Sequence, residues 1–581
     1  MRSQRRFKKP RKTATTTPPK TTPTQASPTP AKTRRRTTSR IVGPITPPPQ
    51  LGTGTPGTDT DNADLIIETT AGKIRGLRLS APTAIRTWRG VPYGADTSGE
   101  NRFRVPKPVP PWAGIRDCRE YGTVAAQPSF GPSEKIKGSE DCLTLDIVRP
   151  DHDAKLPVVV YLHGGSFIYG SSHQQVLRGH YLVEAMNVVY VSLNFRLGVF
   201  GYLDFSHFGD DCSPNPAVRD QLLALRWIHN NIEHFGGDPT NITLMGESAG
   251  GASVITLMCI KATQGLFHRA IAQSPPIAAV HSKAQAAFWA RELANRAGVD
   301  VPNLAKLRAL SPEALINAGQ SMMWRSGELL NLNPCFGATV DKKVIHDHPL
   351  STFRAGEQHK IPLMIGTNVD EAFFAKTFYL RSKARSKSAR RMLEGYDREG
   401  AEIIMRHYND GYLRKDYAQL LADGIFWAPS VIAASAHSLS APTWMYRFDF
   451  APAALRWLGL GAAHTAELSP IFGDLNGSKA ATLNRLGGWQ ELHDLRDHMQ
   501  THWANFIHTG NPNGAEAETW PHYQAPSDHR PGRATKVFDS TPHIVYDPYA
   551  ARRIAWENYN MLEWGSDRLD NLARLAQLDE E

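Results

Sequence analysis

Cysteine is scarce in this chain, with five among 581 residues, at positions 118, 142, 212, 259 and 335. No two of them form a CxxC pair, which argues against a zinc ribbon or a dithiol redox centre. So few over such a length also cannot be the disulfide framework of a small secreted domain. Long apolar runs are missing as well, so no membrane-spanning helix is expected. The basic N-terminus is not followed by an apolar stretch, and neither a secretory nor a twin-arginine signal is read there. A cytoplasmic location is the expectation, with peripheral association at an envelope surface as the alternative.

Acidic residues are absent from the first 40 positions, which carry thirteen Lys and Arg. The formal charge of +10 therefore belongs to a tail, because the remaining chain holds 53 basic against 56 acidic residues. A nucleic-acid partner is not required by such a body. Residues 1–62 contain sixteen Thr and eleven Pro and too little apolar surface to offset the entropy of ordering, so they are expected to be disordered. Their runs "RSQRRFKKPRK" and "AKTRRRTTSR" could touch an anionic surface weakly and in a salt-dependent way, or be no more than a solvated tail. No internal repeat and no later linker is visible, and residues 63–581 are read as a single catalytic domain.

From Ala63 the texture changes. "LPVVVYLHGG" (156–165) and "NVVYVSLNFR" (187–196) are β-branched runs of the kind found in buried parallel strands. Leu222, Leu225, Ile228 and Ile232 recur at helical spacing before Gly236 and Gly237. "NITLMG" then reads as a strand and "SAGGASVITLMCI" as a small-residue helix. Alternating strands and helices imply an α/β fold with a mostly parallel sheet.

The stretch "TNITLMGESAGGASV" (240–254) places Ser248 between Gly246 and Gly250. A bare GxSxG is a weak signal in a chain with 46 glycines. Here it follows a predicted strand and opens a predicted helix, which is the nucleophile-elbow geometry. The helix N-terminus behind the serine favours negative charge. Acyl transfer also needs donors aimed at the developing oxyanion. "YLHGGSF" (161–167), at the end of an earlier strand, supplies a second glycine-rich loop. The expected oxyanion hole comprises Gly164, Gly165, Ser166 and Ala249, with the N–H groups of the last three as donors and Gly164 shaping the loop. A base and an acid cannot be picked locally from 22 histidines and 56 acidic residues.

The ordered set "WRGVPYG" (88–94), "EDCLTLDI" (140–147), "HGGSF" (163–167), "NFRLGVFGYL" (194–203), "FGGDPTNITLMGESAGG" (235–251), "AIAQSP" (270–275), "IGTNVDE" (365–371), "AAHTAEL" (462–468) and "WANFIHTGNPNG" (503–514) resembles the type-B carboxylesterase family. That resemblance, over about residues 65–545, implies an α/β-hydrolase fold: a large mixed, mostly parallel sheet flanked by helices, with helical insertions over the active site. It places the acid on Glu371 and the base on His464, giving the chain order Ser248, Glu371, His464. Asp370 is the rival acid. His163 is read as structural, Glu247 as a support of the elbow, and Ser274 either as a serine bonding near the acid or as a plain strand-end hydroxyl.

The chain also departs from the family. Ala125 stands where secreted members carry the partner of the "EDCL" cysteine, so Cys142 is either reduced or paired with Cys118. Choline-hydrolysing relatives carry a Trp about ten residues before this cysteine, and "SFGPSEKIKGSEDC" has none there, which argues against choline esters. Thr465 follows His464 where glycine is usual. The expected activity is hydrolysis of small to medium carboxylic esters through an acyl-enzyme, with water as second substrate and with no metal or cofactor. Two alternatives are a lipase, for which the basic, partly amphipathic segment 378–395 would be a surface element, and a non-catalytic binding protein on the same fold.

Overall fold

Seven mostly buried strands lie side by side and parallel in one central sheet. The computed structural model describes residues 64–561, except 130–135, 210, 300–302, 327–333, 378–380, 395, 478–484, 486 and 529–530. The tail at residues 1–62, with its two basic runs, lies outside the described residues.

In chain order the sheet is built from β1 (Leu77–Leu79), β2 (Ile85–Pro92), β3 (Thr144–Pro150) and β4 (Leu156–Leu162). β5 (Val189–Leu193), β6 (Gly237–Glu247), β7 (Arg269–Gln273) and β8 (Leu363–Asn368) follow. β9 (Thr443–Phe448), β10 (Ala534–Phe538) and β11 (His543–Tyr546) complete it. The spatial order of these eleven strands is β11-β10-β9-β8-β7-β6-β4-β5-β3-β2-β1. From β5 through to β10 every neighbouring pair is parallel. The antiparallel pairs lie at the two edges, among β1, β2, β3 and β5 on one side and between β10 and β11 on the other. This is the mixed, mostly parallel sheet of an α/β-hydrolase.

Strand periodicity divides the core in two. In β4, Leu156, Val158, Val160 and Leu162 join one apolar cluster while Val159 and Tyr161 join the other. Helices α1 (His180–Met186), α2 (Pro216–Asn231) and α3 (Ala249–Met258) cover these faces, α1 against the second cluster and α2 and α3 against the first. The helical spacing of Leu222, Leu225 and Ile228 thus becomes the buried side of α2. Gly236, at φ 75°, makes the stop, and Gly237 is already the first residue of β6.

Between β8 and β9 the chain inserts α4 (Ser382–Glu394), α5 (Arg398–His407), α6 (Arg414–Ala422) and α7 (Ala428–His437). α4 carries most of the basic segment 378–395, whose residues 378–380 and 395 lie outside the described ones. Its Ala389, Met392 and Leu393 are buried in the core, so the apolar stripe of that helix is already used internally. α8 (Trp489–Thr509) closes the second face with Leu492, Met499, Trp503 and Phe506. Among the described residues no helix is long and apolar enough to cross a membrane. Cys118 and Cys142 are both free and buried, which leaves Cys142 reduced and answers the pairing left open by the sequence.

Two of the quoted motifs turn out to hold the frame. Arg196, in "NFRLGVFGYL", is 2 % exposed and grips the fully buried Asp220 of α2 through Nε at 2.9 Å and an Nη at 2.7 Å. Its remaining donors reach the carbonyls of Arg104 and Pro216. Glu140, in "EDCLTLDI", pairs in the same bidentate way with buried Arg102. Removing one member of such a pair leaves an uncompensated buried charge. Asp220→Ala is expected to lower stability by about 3 to 5 kcal/mol, read as a fall in the urea unfolding midpoint, whereas a loss below about 1 kcal/mol would show that Arg196 is satisfied by its carbonyl partners alone.

Candidate active site

β6 ends at Glu247 and α3 begins at Ala249, which leaves Ser248 as the single residue between strand and helix. Its backbone sits at φ 56°, ψ −124°, a conformation that an L-residue keeps only when its surroundings impose it. Its N–H donates to the Gln273 carbonyl at 2.8 Å, while its carbonyl accepts the N–H of Ala252 at 2.9 Å. The neighbouring glycines are steric requirements: a Cβ on Gly246 would lie 2.6 Å from the Gly250 carbonyl group, and one on Gly250 would run into the Leu162 carbonyl. The turn therefore packs backbone against backbone and presents Ser248 to a cavity.

That cavity, of about 520 Å³, is lined by Ser248, His464, Glu247 and the loop Gly164, Gly165 and Ser166. In the loop, Gly165, Ser166 and Phe167 all have positive φ, at 120°, 53° and 65°. A Cβ on Gly165 would collide with the Tyr169 carbonyl, and one on Gly164 would lie 2.5 Å from the Glu247 carboxylate. Among the described residues no acceptor takes the N–H of Gly165 or Ser166. The N–H of Ala249 is one of the donors a helix leaves unpaired at its start. His163 stacks on Phe195 at 4.6 Å, and its Nδ1 lies 2.9 Å from the Gly164 carbonyl. Burial lowers its pKa to about 4, which fits a neutral ring bracing the loop.

Glu371 follows the end of β8 and is 1 % exposed. Its Oε2 lies 2.5 Å from His464 Nδ1, and its Oε1 accepts the Asn368 N–H at 2.7 Å. Glu371 and His464, 93 positions apart, are thus in direct contact. The insertion between β8 and β9 contributes Phe426, whose ring lies 4.7 Å from that of His464. Asp370 faces Ala462 and Lys376 instead of the imidazole. Ser274 departs from the bonding expected by resemblance: its Oγ is buried with no hydrogen-bond partner among the described residues.

The surroundings of the imidazole are more acidic than the sequence suggested. His464 Nε2 lies 3.2 Å from Glu247 Oε1, and the hydrogen bond from Ser248 to His464 is not formed in this arrangement. The contact with Glu247 is an ion pair by distance but lacks hydrogen-bond geometry, since the same Oε1 has no hydrogen-bond partner. Glu467 is fully buried and accepts Asn368 Nδ2 at 2.5 Å. Burial pushes the Glu247 carboxyl up, and Glu467 and Glu371 add to this while His464 opposes it. For His464, burial works against the cation, but Glu247 and Glu371, each facing one ring nitrogen, outweigh it and raise the pKa. Asn368 and Glu467 were missed by sequence reasoning, although each lies three residues from a predicted site residue and inside a quoted motif.

Thr465 sits at φ 73°, in the left-handed region where a β-branched side chain is strained. The usual glycine at this position is therefore a conformational requirement that this chain meets at a cost. Thr465→Gly is expected to raise stability by about 1 kcal/mol, measured as a higher thermal midpoint, whereas an unchanged or lower midpoint would show that Thr465 makes contacts that offset its backbone.

A model of the Carboxylesterase family matches residues 63–536. The para-nitrobenzyl esterase of Bacillus subtilis is 34 % identical over 498 residues, covering 84 % of this chain and 97 % of that protein. The cocaine esterase of Homo sapiens is 29 % identical, covering 80 % and 87 %. Among solved structures, a thermophilic PNB esterase superposes with a TM-score of 0.75 at 33 % identity, covering 85 % of this chain and all of that one. A carboxylesterase of Geobacillus stearothermophilus gives 0.73 at 32 % identity with the same coverage. The chain belongs to the carboxylesterase family and is a serine carboxylic-ester hydrolase on the α/β-hydrolase fold, with an ester and water as its substrates.

Proposed function

We propose that Ser248, Glu371 and His464 form the catalytic triad and that the enzyme hydrolyses uncharged carboxylic esters of small to medium size. The observation that carries the assignment is the contact between Glu371 and His464 beside the strained serine. His464 Nε2 turns from Glu247 to Ser248 Oγ and takes its proton as the oxygen attacks the ester carbonyl. Glu371 holds Nδ1–H and stabilises the imidazolium. The N–H groups of Gly165, Ser166 and Ala249 receive the oxyanion, in a loop whose shape depends on Gly164. The protonated imidazole then gives its proton to the leaving alcohol, an acyl-enzyme remains on Ser248, and water attacks it with His464 again as base.

The substrate class follows from the wall of the cavity. Phe373, Phe448, Phe450, Leu455, Leu460 and Leu468 line it, with no Lys or Arg among the lining residues. An acyl or alkyl group gains from burial there, while an anionic ester would find no Lys or Arg in the lining to pair with its charge. The lipase alternative is not favoured by the esterase relatives or by the buried stripe of α4. Strands drawn from residues 77 to 546 into one sheet support reading 63–581 as a single catalytic domain. The contact of the basic tail with an anionic surface concerns residues outside the described ones.

Ser248→Ala is expected to reduce hydrolysis of p-nitrophenyl butyrate by at least about 10³-fold with an unchanged unfolding midpoint, and wild-type activity in that variant would overturn the assignment. The base must be neutral, so kcat/KM rises with pH as His464 loses its proton. Because Glu247 raises the His464 pKa, Glu247→Gln should move the acid limb of the kcat/KM profile to lower pH. A limb that stays in place or moves upward would show that Glu247 does not act on the imidazole.

A further inference from the structure

The loop bearing His464 is attached to the loop bearing Glu371 at more points than the pair itself. On the N-terminal side of the histidine, Asp370 makes two hydrogen bonds to one residue: its N–H donates to the Ala462 carbonyl at 3.1 Å, and its Oδ2 accepts the Ala462 N–H at 3.2 Å. Its Oδ1 lies 3.6 Å from Lys376 Nζ, and the same ammonium donates to the Gly459 carbonyl at 2.9 Å. Gly461, at φ 60°, lets the backbone pass so close that a Cβ there would run into the Asp370 carboxylate. Asn368 Nδ2 adds a tie on each side of the histidine, donating to the Ala463 carbonyl just before it at 2.8 Å and to the Glu467 carboxylate after it at 2.5 Å. Gly459, Ala462, Ala463 and Glu467 are thus all tied to the segment 368–376, and His464 lies between the ties.

We propose that Asp370 and Lys376 are positioning residues, forming with Asn368 a clamp that fixes the backbone leading into His464, and the Glu467 side chain after it, while the imidazole ring moves between Glu247 and Ser248. The proposal rests on the triad assignment above. A clamp is needed at this place for a physical reason. The histidine sits on an irregular segment rather than on a strand or helix, and Thr465 next to it occupies a strained backbone conformation that would relax if released. A shift of about 1 Å at a catalytic group can cost about a hundredfold in rate. Asp370 and Lys376 are each about a third exposed, so their ion pair alone contributes little to stability. Their effect is expected in turnover, because they hold carbonyl and N–H groups of the histidine segment.

The test uses the full chain with p-nitrophenyl acetate, comparing Asp370→Ala, Asp370→Asn, Lys376→Met and Lys376→Arg, with Ser248→Ala beside them. Asp370→Ala removes both the acceptor and the charge and should lower kcat about a hundredfold, with KM within about threefold. Asp370→Asn keeps an oxygen for the Ala462 N–H and should lose less, and Lys376→Met should lose about tenfold. Lys376→Arg, which keeps a charged donor, should recover most of that loss. Thermal midpoints should stay close to that of the parent, because a merely structural role would lower them along with kcat and would not be rescued by Arg. Parent-like kcat in both Asp370→Ala and Lys376→Met, or a loss that follows the midpoint without rescue, overturns the clamp. If Ser248→Ala is inactive while the clamp variants are not impaired, only the clamp fails. If Ser248→Ala remains active, the triad assignment itself fails.

Discussion

A serine held at φ 56° between a strand and a helix is possible only where backbone packs directly on backbone. Gly246 and Gly250 permit that contact, and Leu162, the last residue of β4, is the wall against which Gly250 closes. The position of Ser248 is therefore set by the registry of β4 and β6 at the centre of the parallel run. The loop with Gly164, Gly165 and Ser166 leaves the same end of β4, so Ser248 and the proposed oxyanion donors share one rigid edge. Glu371 lies just beyond the end of β8, the strand that pairs with β7, whose last residue accepts the Ser248 N–H. His464 lies on an irregular segment between β9 and α8, and it is there that strain and extra hydrogen bonds accumulate.

Electrostatics supplies the second organising constraint. Glu247, Glu371 and Glu467 are all buried around one imidazole, an arrangement that without the histidine would be strongly unfavourable. The ring is gripped from both sides, by Glu371 at Nδ1 and by Glu247 near Nε2. On the proposed mechanism this couples two demands that pull apart: the imidazolium formed during attack is stabilised, while the neutral base that begins the attack becomes harder to obtain. Glu247 thus belongs both to the elbow and to the protonation state of the site.

Much of this was legible in the sequence. The β-branched runs of β4 and β5, the periodicity of α2 and the strand-turn-helix around Ser248 follow from local spacing, because burial on both faces of a parallel strand leaves a direct trace. The glycine-rich loop after β4 was legible as a motif closing a predicted strand. Glu371 and His464 were reached only through resemblance, since they lie 123 and 216 positions beyond Ser248 and no local pattern brings them together. The turn of Nε2 toward Glu247 and the burial of Glu467 arise from side chains that meet only in three dimensions. Thr465 was visible as a departure, but its meaning depended on a backbone angle that no sequence displays.

Catalysis as proposed depends on covalent chemistry at one atom, Ser248 Oγ. Brief reaction with a p-nitrophenyl ester, followed by an acid quench and peptide mass spectrometry, measures it directly. The account predicts one acyl group per chain on the peptide that contains Ser248, formed at the rate of the p-nitrophenol burst. Turnover with the acyl group on another residue, or with the Ser248 peptide unmodified throughout the burst, would contradict it.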